Sequence, residues 1–459
     1  MNKRTFLKLS SAMLTGAALS PLAACNTAKK ESSELTEANV VRNWAGNITY
    51  STNNILEPKS LDEARDIIKK STKLRALGTR HCFNTIADSD HTLLSSRYLN
   101  EIGPIDPNTA TILVGGGIRY GDLCKHLDEK GFAIHNLASL PHISVAGACA
   151  TATHGSGITN GNLATAVSEV EILTGTGDLL KFSKDSNPSE FAGAVVNLGA
   201  LGLVTMVRLQ LLPAFKVRQW VYLNLPMTQL YDHFDEIMGA GYSVSLFTDW
   251  QTENINQLWI KQIAKDTKLV DATPALYGSV QADRDVHPII AISAENCTPQ
   301  MGVAGPWYER LPHFKMDFTP SSGEELQAEY FVPRSRAVEA IQAIAAKHKD
   351  ELKQLLFITE IRTIAADDLW LSTAYGRDSV AIHFTLKQDT AGVNAFLPRL
   401  EETLRPFEAR PHWGKLFVMD PAELRSRYEK FDQFRSLVAK CDPEGKFRNT
   451  FMEHVIPSL

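Results

Sequence analysis

Apolar residues recur at helical spacing through Leu61, Ala64, Ile67 and Ile68, which predicts a helix running to about Lys70. Ser60-Leu61-Asp62-Glu63 in front of it is a capping box, with the Ser60 hydroxyl accepting from the Glu63 amide and the Glu63 carboxylate reaching back. The short apolar run Leu74 to Leu77 reads as a strand entering the loop Gly78-Thr79-Arg80-His81-Cys82-Phe83-Asn84. Thr111 to Val114 is another strand, leading through the glycines Gly115 to Gly121 into a helix from Tyr120 to Lys130. Leu123 and Leu127 should point inward there, with Gly131 as the stop. Val167 to Leu173 and Leu179 to Phe182 bracket Thr174-Gly175-Thr176-Gly177-Asp178, a hairpin signal. Leu198 to Val204 then leads into a strand, Thr205 to Leu211.

Past Pro213 the pattern changes to longer alternating strands, such as Val217 to Leu223 and Ser243 to Thr248, with amphipathic helices such as Arg334 to His348 between them. That mixture predicts an α+β region with an antiparallel sheet. Near the C-terminus Asp420-Pro421-Ala422-Glu423 supplies an N-cap, a proline at the first helical position and an acid at the third. Leu424, Tyr428, Phe431, Phe434, Leu437 and Val438 form the apolar stripe of one helix, which Asp442-Pro443-Glu444-Gly445 ends. The boundaries that follow are 41–215 for a first domain, 216–412 for a second, and 413–459 for a segment returning to the first.

A chain of 459 residues with 44% hydrophobic and 22% charged residues is an enzyme-sized globular protein of two or three domains. Its net charge of -5 gives no basic face for nucleic acid. There are no zinc-type cysteine pairs and no internal repeat.

The first 25 residues read separately. Lys3-Arg4, the apolar run Ala12 to Leu19 and Leu22-Ala23-Ala24-Cys25 form a basic region, an apolar stretch too short to span a bilayer, and a lipobox-like ending. This predicts an exported protein, in the periplasm or cell envelope, anchored by a lipid on Cys25; Lys3-Arg4-Thr5-Phe6-Leu7-Lys8 also resembles a twin-arginine signal with lysine in the first place. Residues 26–40, rich in Lys, Glu, Ser, Thr and Asn, read as a flexible tether. The five cysteines left have no regular spacing and predict no disulfide framework.

Candidate chemistry begins at Gly78 to Asn84, where a glycine lets the backbone approach a flat or phosphorylated ligand beside the His81 imidazole. The glycines at 115–121 suggest a dinucleotide-binding turn, but Phe-Ala-Ile-His-Asn-Leu after Gly131 lacks the acid that would bind a ribose. A tight turn packing the next helix fits better. From Ala138 to Gly157 nearly every residue after Val145 is small, with recurring Thr and Ser, so amides and hydroxyls can meet phosphate oxygens.

These stretches, with Leu198-Gly199-Ala200-Leu201-Gly202-Leu203-Val204-Thr205 and Arg410-Pro411-His412-Trp413-Gly414-Lys415, resemble the vanillyl-alcohol-oxidase-type flavoproteins. Within that group the likeness is greatest to the bacterial alditol oxidases, through strings such as Asn43-Trp44-Ala45-Gly46-Asn47-Ile48-Thr49-Tyr50 and Ala374-Tyr375-Gly376-Arg377-Asp378-Ser379-Val380-Ala381. It spans about residues 42–452. The resemblance implies an α+β protein with a two-part FAD-binding domain of the PCMH type and a substrate-binding cap with an antiparallel sheet. It further implies FAD bound covalently through His81. Ala76, Leu77, Gly78, Thr79, Arg80 and Cys82 would wrap the pyrophosphate, and Ser144, Gly147, Thr151, Ala152, Thr153, His154 and Val204 would complete the cofactor site. Arg80 and Cys82 stand where relatives commonly have a small residue and a serine. Ser139, Gln327, Glu360, Arg362, His383, Thr385 and Lys415 would line the substrate pocket, with Glu360, Arg362 and Lys415 catalytic and Trp413 and His412 packing residues.

The implied reaction is oxidation of the terminal hydroxyl of a polyol such as xylitol or sorbitol by hydride transfer to flavin N5, with oxygen reduced to hydrogen peroxide, in a monomer. The residue types suit it: Arg362 and Lys415 supply the positive charge that favours an alkoxide, and Glu360, two residues from Arg362 on one strand face, can orient it. His383 and Thr385 share the same spacing and could address neighbouring hydroxyls. The rival readings are an aldonolactone oxidase or dehydrogenase and a non-catalytic flavin- or sugar-binding lipoprotein.

Overall fold

The protein is described from a computed structural model over residues 40–265, 275–316 and 324–457. The leader, the lipobox at Cys25 and the tether to residue 39 lie outside these residues. The capping box forms, since Ser60 Oγ accepts from the Glu63 amide at 3.2 Å and starts the helix Leu61–Lys70. Glu63 reaches back one residue further than the usual box, accepting from the Lys59 amide at 2.8 Å. Ala64 and Ile68 bury its apolar stripe. Beside it lies a small parallel sheet with Leu93–Ser95 at the centre, Ile55–Leu56 on one side and Arg75–Leu77 on the other.

A five-stranded antiparallel sheet follows in the order Ile102–Asp106, Thr111–Gly115, Leu203–Gln210, Val167–Leu173, Leu179–Ser183. Ile112, Val114, Val170, Ile172, Val207 and Leu209 send alternate side chains into one core, shared with Leu123 and Leu127 of the helix Tyr120–Glu129. The glycines before that helix are a packing device. A Cβ on Gly116 would run into the Val204 carbonyl oxygen, and one on Gly117 into that of Ser96. That space is filled by backbone, as the tight-turn reading requires.

Among the described residues the large sheet has ten strands. Its central order is Lys216–Pro226, Asn254–Ile263, Ser243–Thr248, Leu356–Ile364, Ser379–Lys387, Glu325–Pro333, with every neighbour antiparallel. The period-two pattern expected from the sequence does not mean one wet face here. All six residues of Ser243–Thr248, and Leu326 to Val332, are buried. One face packs Leu246, Tyr330, Ile361 and Ile382 together with residues of the helices Ala337–Leu355 and Thr390–Leu404. The other carries polar side chains and faces a cavity.

Two predicted helices differ in extent. Arg334–Arg336 is a 3-10 turn, and the α-helix runs Ala337–Leu355 because Leu352 continues the buried stripe beyond His348. The single C-terminal helix is two, Pro421–Ser426 and Phe431–Cys441. Between them the Arg427, Tyr428 and Phe431 amides donate to carbonyls three residues back, and the Tyr428 ring stacks on Trp413 at 5.1 Å and 29°. The stripe was legible, but stacking of Tyr428 tightens the backbone out of the α-helix.

Candidate active site

A cavity of about 480 Å³ lies between the polar face of the large sheet and the segments around 76–82 and 138–154. On the first side the strand Arg75–Leu77 ends at Gly78, whose added Cβ would sit 2.9 Å from Ser144 Oγ; a Cβ on Gly147 would meet the same oxygen at 2.8 Å. The Ser144 amide donates to Thr79 Oγ1 at 3.4 Å, and Ser144 Oγ is buried without a protein partner. Two glycines thus keep a narrow cradle open around an unused hydroxyl. Arg80 holds φ at 61°, in the left-handed region, with its carbonyl accepting from the Trp44 amide at 2.8 Å. Its guanidinium turns to the Arg42 carbonyl at 3.4 Å.

This backbone presents His81 at the cavity, with its ring 4.4 Å from Trp44 and 5.4 Å from His142. His81 Nδ1 is buried and has no protein partner. Burial, and then the nearby Lys415, His142 and His412, hold its pKa well below that of a free imidazole, so it stays neutral and nucleophilic. Cys82 beside it is partly buried, and burial pushes its thiol up to about 11. Thr151, Thr153, His154 and Val204 also reach the cavity, as expected. Ala152 does not: it is fully buried in the core with φ at 55°. It shapes the turn that brings its neighbours to the cavity.

On the sheet side three strands align a row, because Glu360 pairs in register with His383 and His383 with Glu329. The next row pairs Thr385 with Gln327. Glu360 Oε2 is 3.1 Å from Arg362 Nη2, and its Oε1 is 2.6 Å from His313 Nε2. Burial would raise the Glu360 carboxyl, but the Arg362 guanidinium and His313 outweigh it and hold it well below the carboxylate range. Gln327 Oε1 accepts from His383 Nε2 at 3.1 Å and also from Lys415 Nζ. That fixes His383 with its proton on Nε2, and leaves Nδ1 a buried acceptor without a protein partner. Burial pushes His383 down to about 3. Lys415 Nζ lies 4.6 Å from the centre of the Phe83 ring, and burial lowers its pKa.

The predicted pocket residues Ser139, Gln327, Glu360, Arg362, His383, Thr385 and Lys415 therefore meet at one cavity. Sequence reasoning missed Glu329, His313 and Lys261, and set His412 aside as packing. Glu329 carried a readable signal, standing two residues from Gln327 on the same strand face. His412 lines the cavity, stacks at 27° on Phe331, accepts from the Gly414 amide at 3.0 Å, and is pushed by burial down to about 3. Trp413 does pack, fully buried with Nε1 donating to the Leu371 carbonyl at 2.8 Å.

The FAD binding domain family matches residues 53–183, and the D-arabinono-1,4-lactone oxidase family matches residues 320–455. An alditol oxidase of Streptomyces sp. is 45% identical over 419 residues, which is 91% of this chain and 99% of that protein. The chain belongs to the alditol oxidase family. As a member of that family, within the wider vanillyl-alcohol oxidase and aldonolactone oxidase group, it is an FAD-dependent oxidoreductase. Alditol oxidase family membership also explains more distant likenesses. An L-gulono-1,4-lactone dehydrogenase of Mycobacterium tuberculosis is 26% identical over 90% of this chain and 98% of its own. An L-gulonolactone oxidase of Bos taurus is 24% identical over 90% and 97%. Cholesterol oxidase from B. sterolicum superposes with a TM-score of 0.72 at 17% identity, over 91% of this chain and 97% of that one, and shares the PCMH-type fold.

The residues present fit a flavin cofactor. The neutral unpartnered Nδ1 of His81, the unused hydroxyls of Ser139 and Ser144, and the glycine cradle at Gly78 and Gly147 all border the same cavity.

Proposed function

We propose that this protein oxidises the terminal hydroxyl of a polyol such as xylitol or sorbitol to the aldose, with oxygen as the electron acceptor and hydrogen peroxide as the second product. The observation that carries the reading is the floor of the cavity, where Glu360, Arg362, His383, Gln327 and Lys415 stand on adjacent strands and the returning segment. FAD, when bound, supplies the hydride acceptor. His81 Nδ1 would hold it covalently, and the cradle of Gly78, Ser144 and Gly147 would receive its phosphates.

The protein's own contribution is charge and direction. Arg362 and Lys415 place positive charge where an alkoxide develops as the hydroxyl proton leaves. Glu360 holds the guanidinium through Oε2. His383 Nδ1, neutral and unpartnered, accepts from a neighbouring hydroxyl and so selects a substrate with several of them in sequence.

The second reading is an aldonolactone oxidase, favoured by the family match over residues 320–455. Steady-state peroxide release distinguishes the two. Turnover with xylitol or sorbitol well above that with gulono- or galactono-lactone supports the polyol reading, and turnover of the lactones alone overturns it.

A further inference from the structure

Beside the pocket floor, on the same sheet face, lies a buried lysine that the reaction described above does not use. Lys261 is on Asn254–Ile263, on the same strand face as Trp259 and Gln257, whose register partners Ser245 and Phe247 pair with Arg362 and Glu360. Lys261, His313 and Glu360 are 1%, 4% and 6% exposed. Lys261 Nζ lies 2.5 Å from the Leu311 carbonyl, 3.2 Å from that of Pro312 and 3.1 Å from His313 Nδ1. His313 Nε2 lies 2.6 Å from Glu360 Oε1.

With every bond in this Lys261–His313–Glu360 relay made, proton counting gives the charge it carries. Carbonyl oxygens only accept, so two N–H groups of Lys261 go to Leu311 and Pro312. His313 Nε2 must carry a proton to bond an ionised Glu360, and in a neutral imidazole Nδ1 is then an acceptor. The third N–H of Lys261 fills it, so the lysine is an ammonium. Moving that proton onto His313 would leave the same single positive charge beside Glu360.

We propose that Lys261 and His313 form a cationic brace that balances and orients Glu360 from the side, leaving the charge of Arg362 available to the substrate oxygen. Without the brace the Glu360–Arg362 pair is neutral as a unit; with it that cluster carries one net positive charge, beside that of Lys415. The ring of His313 is held in plane by Phe247 and Trp259, edge-on at 5.5 and 5.2 Å. Its amide donates to the Ser139 carbonyl at 3.2 Å, which ties the brace to the segment on the opposite side of the cavity. Thr298 Oγ1 donates to the Pro312 carbonyl at 2.8 Å and fixes the loop that caps the ammonium. Lys261 and His313 are positioning residues: they act through Glu360.

The charge is poised. Burial pushes Lys261 down to about 7, with Glu360 and Cys297 opposing and Arg362 assisting. His313 is pushed to about 4, so the shared proton rests on the lysine. Glu360 in turn faces Arg362, His313 and His383. Turnover should therefore fall as pH rises through the titration of Lys261.

The inference rests on Glu360 and Arg362 being the substrate-activating pair, and the test separates the two claims. In the purified holoenzyme, polyol-dependent flavin reduction is followed against pH for wild type, Lys261→Met, Lys261→Arg, His313→Gln and His313→Leu. Lys261→Met should reduce the rate on the order of 100-fold and abolish the alkaline fall, and Lys261→Arg should move that fall to higher pH. Gln at 313 can accept from Lys261 and donate to Glu360, so it should recover most of the rate that His313→Leu loses. The brace is overturned if Lys261→Met keeps the wild-type rate, or loses rate and urea resistance together with an unaltered pH profile. Should Lys261→Met fail to fold, equal rates in His313→Gln and His313→Leu overturn it instead. A wild type that polyols do not reduce refutes the underlying reading of the pocket.

Discussion

At the level of single residues, His81 has the state that the proposed flavin link requires. It is neutral, its Nδ1 has no protein partner, and the strained backbone at Arg80 and the ring of Trp44 hold it at the cavity. Acid precipitation of the purified protein should leave flavin fluorescence on the polypeptide, and His81→Ala should release it. Flavin in the wild-type supernatant would refute the link. Much of this site was legible because strand geometry is regular: residues two apart share a face, so Glu360 with Arg362, and His383 with Thr385, could be grouped from spacing alone. His313 could not, since it comes from a loop and meets Glu360 only through tertiary packing. Lys261 sits in a strand whose polar residues gave no sign of being fully buried. The misplacement of Ala152 has a similar cause, because a turn of small residues does not reveal which of them faces inward.

Among the elements, one side chain ties the small parallel sheet to two distant segments. Arg75 is 2% exposed and donates to the carbonyls of Ile86 at 2.7 Å, Gly199 at 2.8 Å and Phe447 at 2.7 Å, and also to that of Leu198. Arg75→Met would strand these acceptors and should cost about 3–5 kcal/mol, read as a fall in the urea midpoint. An unchanged midpoint would mean that the carbonyls find other donors. The elements themselves were well marked where caps and turns are local, as in Ser60 to Lys70 and Val167 to Ser183. They were misread where a long-range contact decides, as when the stacking of Tyr428 on Trp413 divides the C-terminal helix.

Across the whole molecule, the segment 138–157 and the large sheet are joined by a buried pair, His154 Nε2 to Glu329 Oε1 at 3.0 Å. His154 Nδ1 lies 2.8 Å from the Gly155 carbonyl and must donate to it. Burial would raise the Glu329 carboxyl, but His154 outweighs it and holds it well below its ordinary 4.5. A carboxyl lowered in the folded state contributes stability that is complete above its unfolded pKa and lost as pH falls through the folded one. Glu329→Gln should therefore lower the urea midpoint at neutral pH, and the difference should shrink steadily below about pH 4.5. A difference independent of pH would place the effect in packing.

The proposed function requires this cavity to activate a polyol hydroxyl for hydride removal. Mixing the anaerobic holoenzyme with xylitol or sorbitol and following flavin absorbance tests it most directly. Rapid, complete bleaching by the polyol and little by aldonolactones is the expected result; bleaching by lactones alone, or polyol binding without any bleaching, would refute the polyol reading.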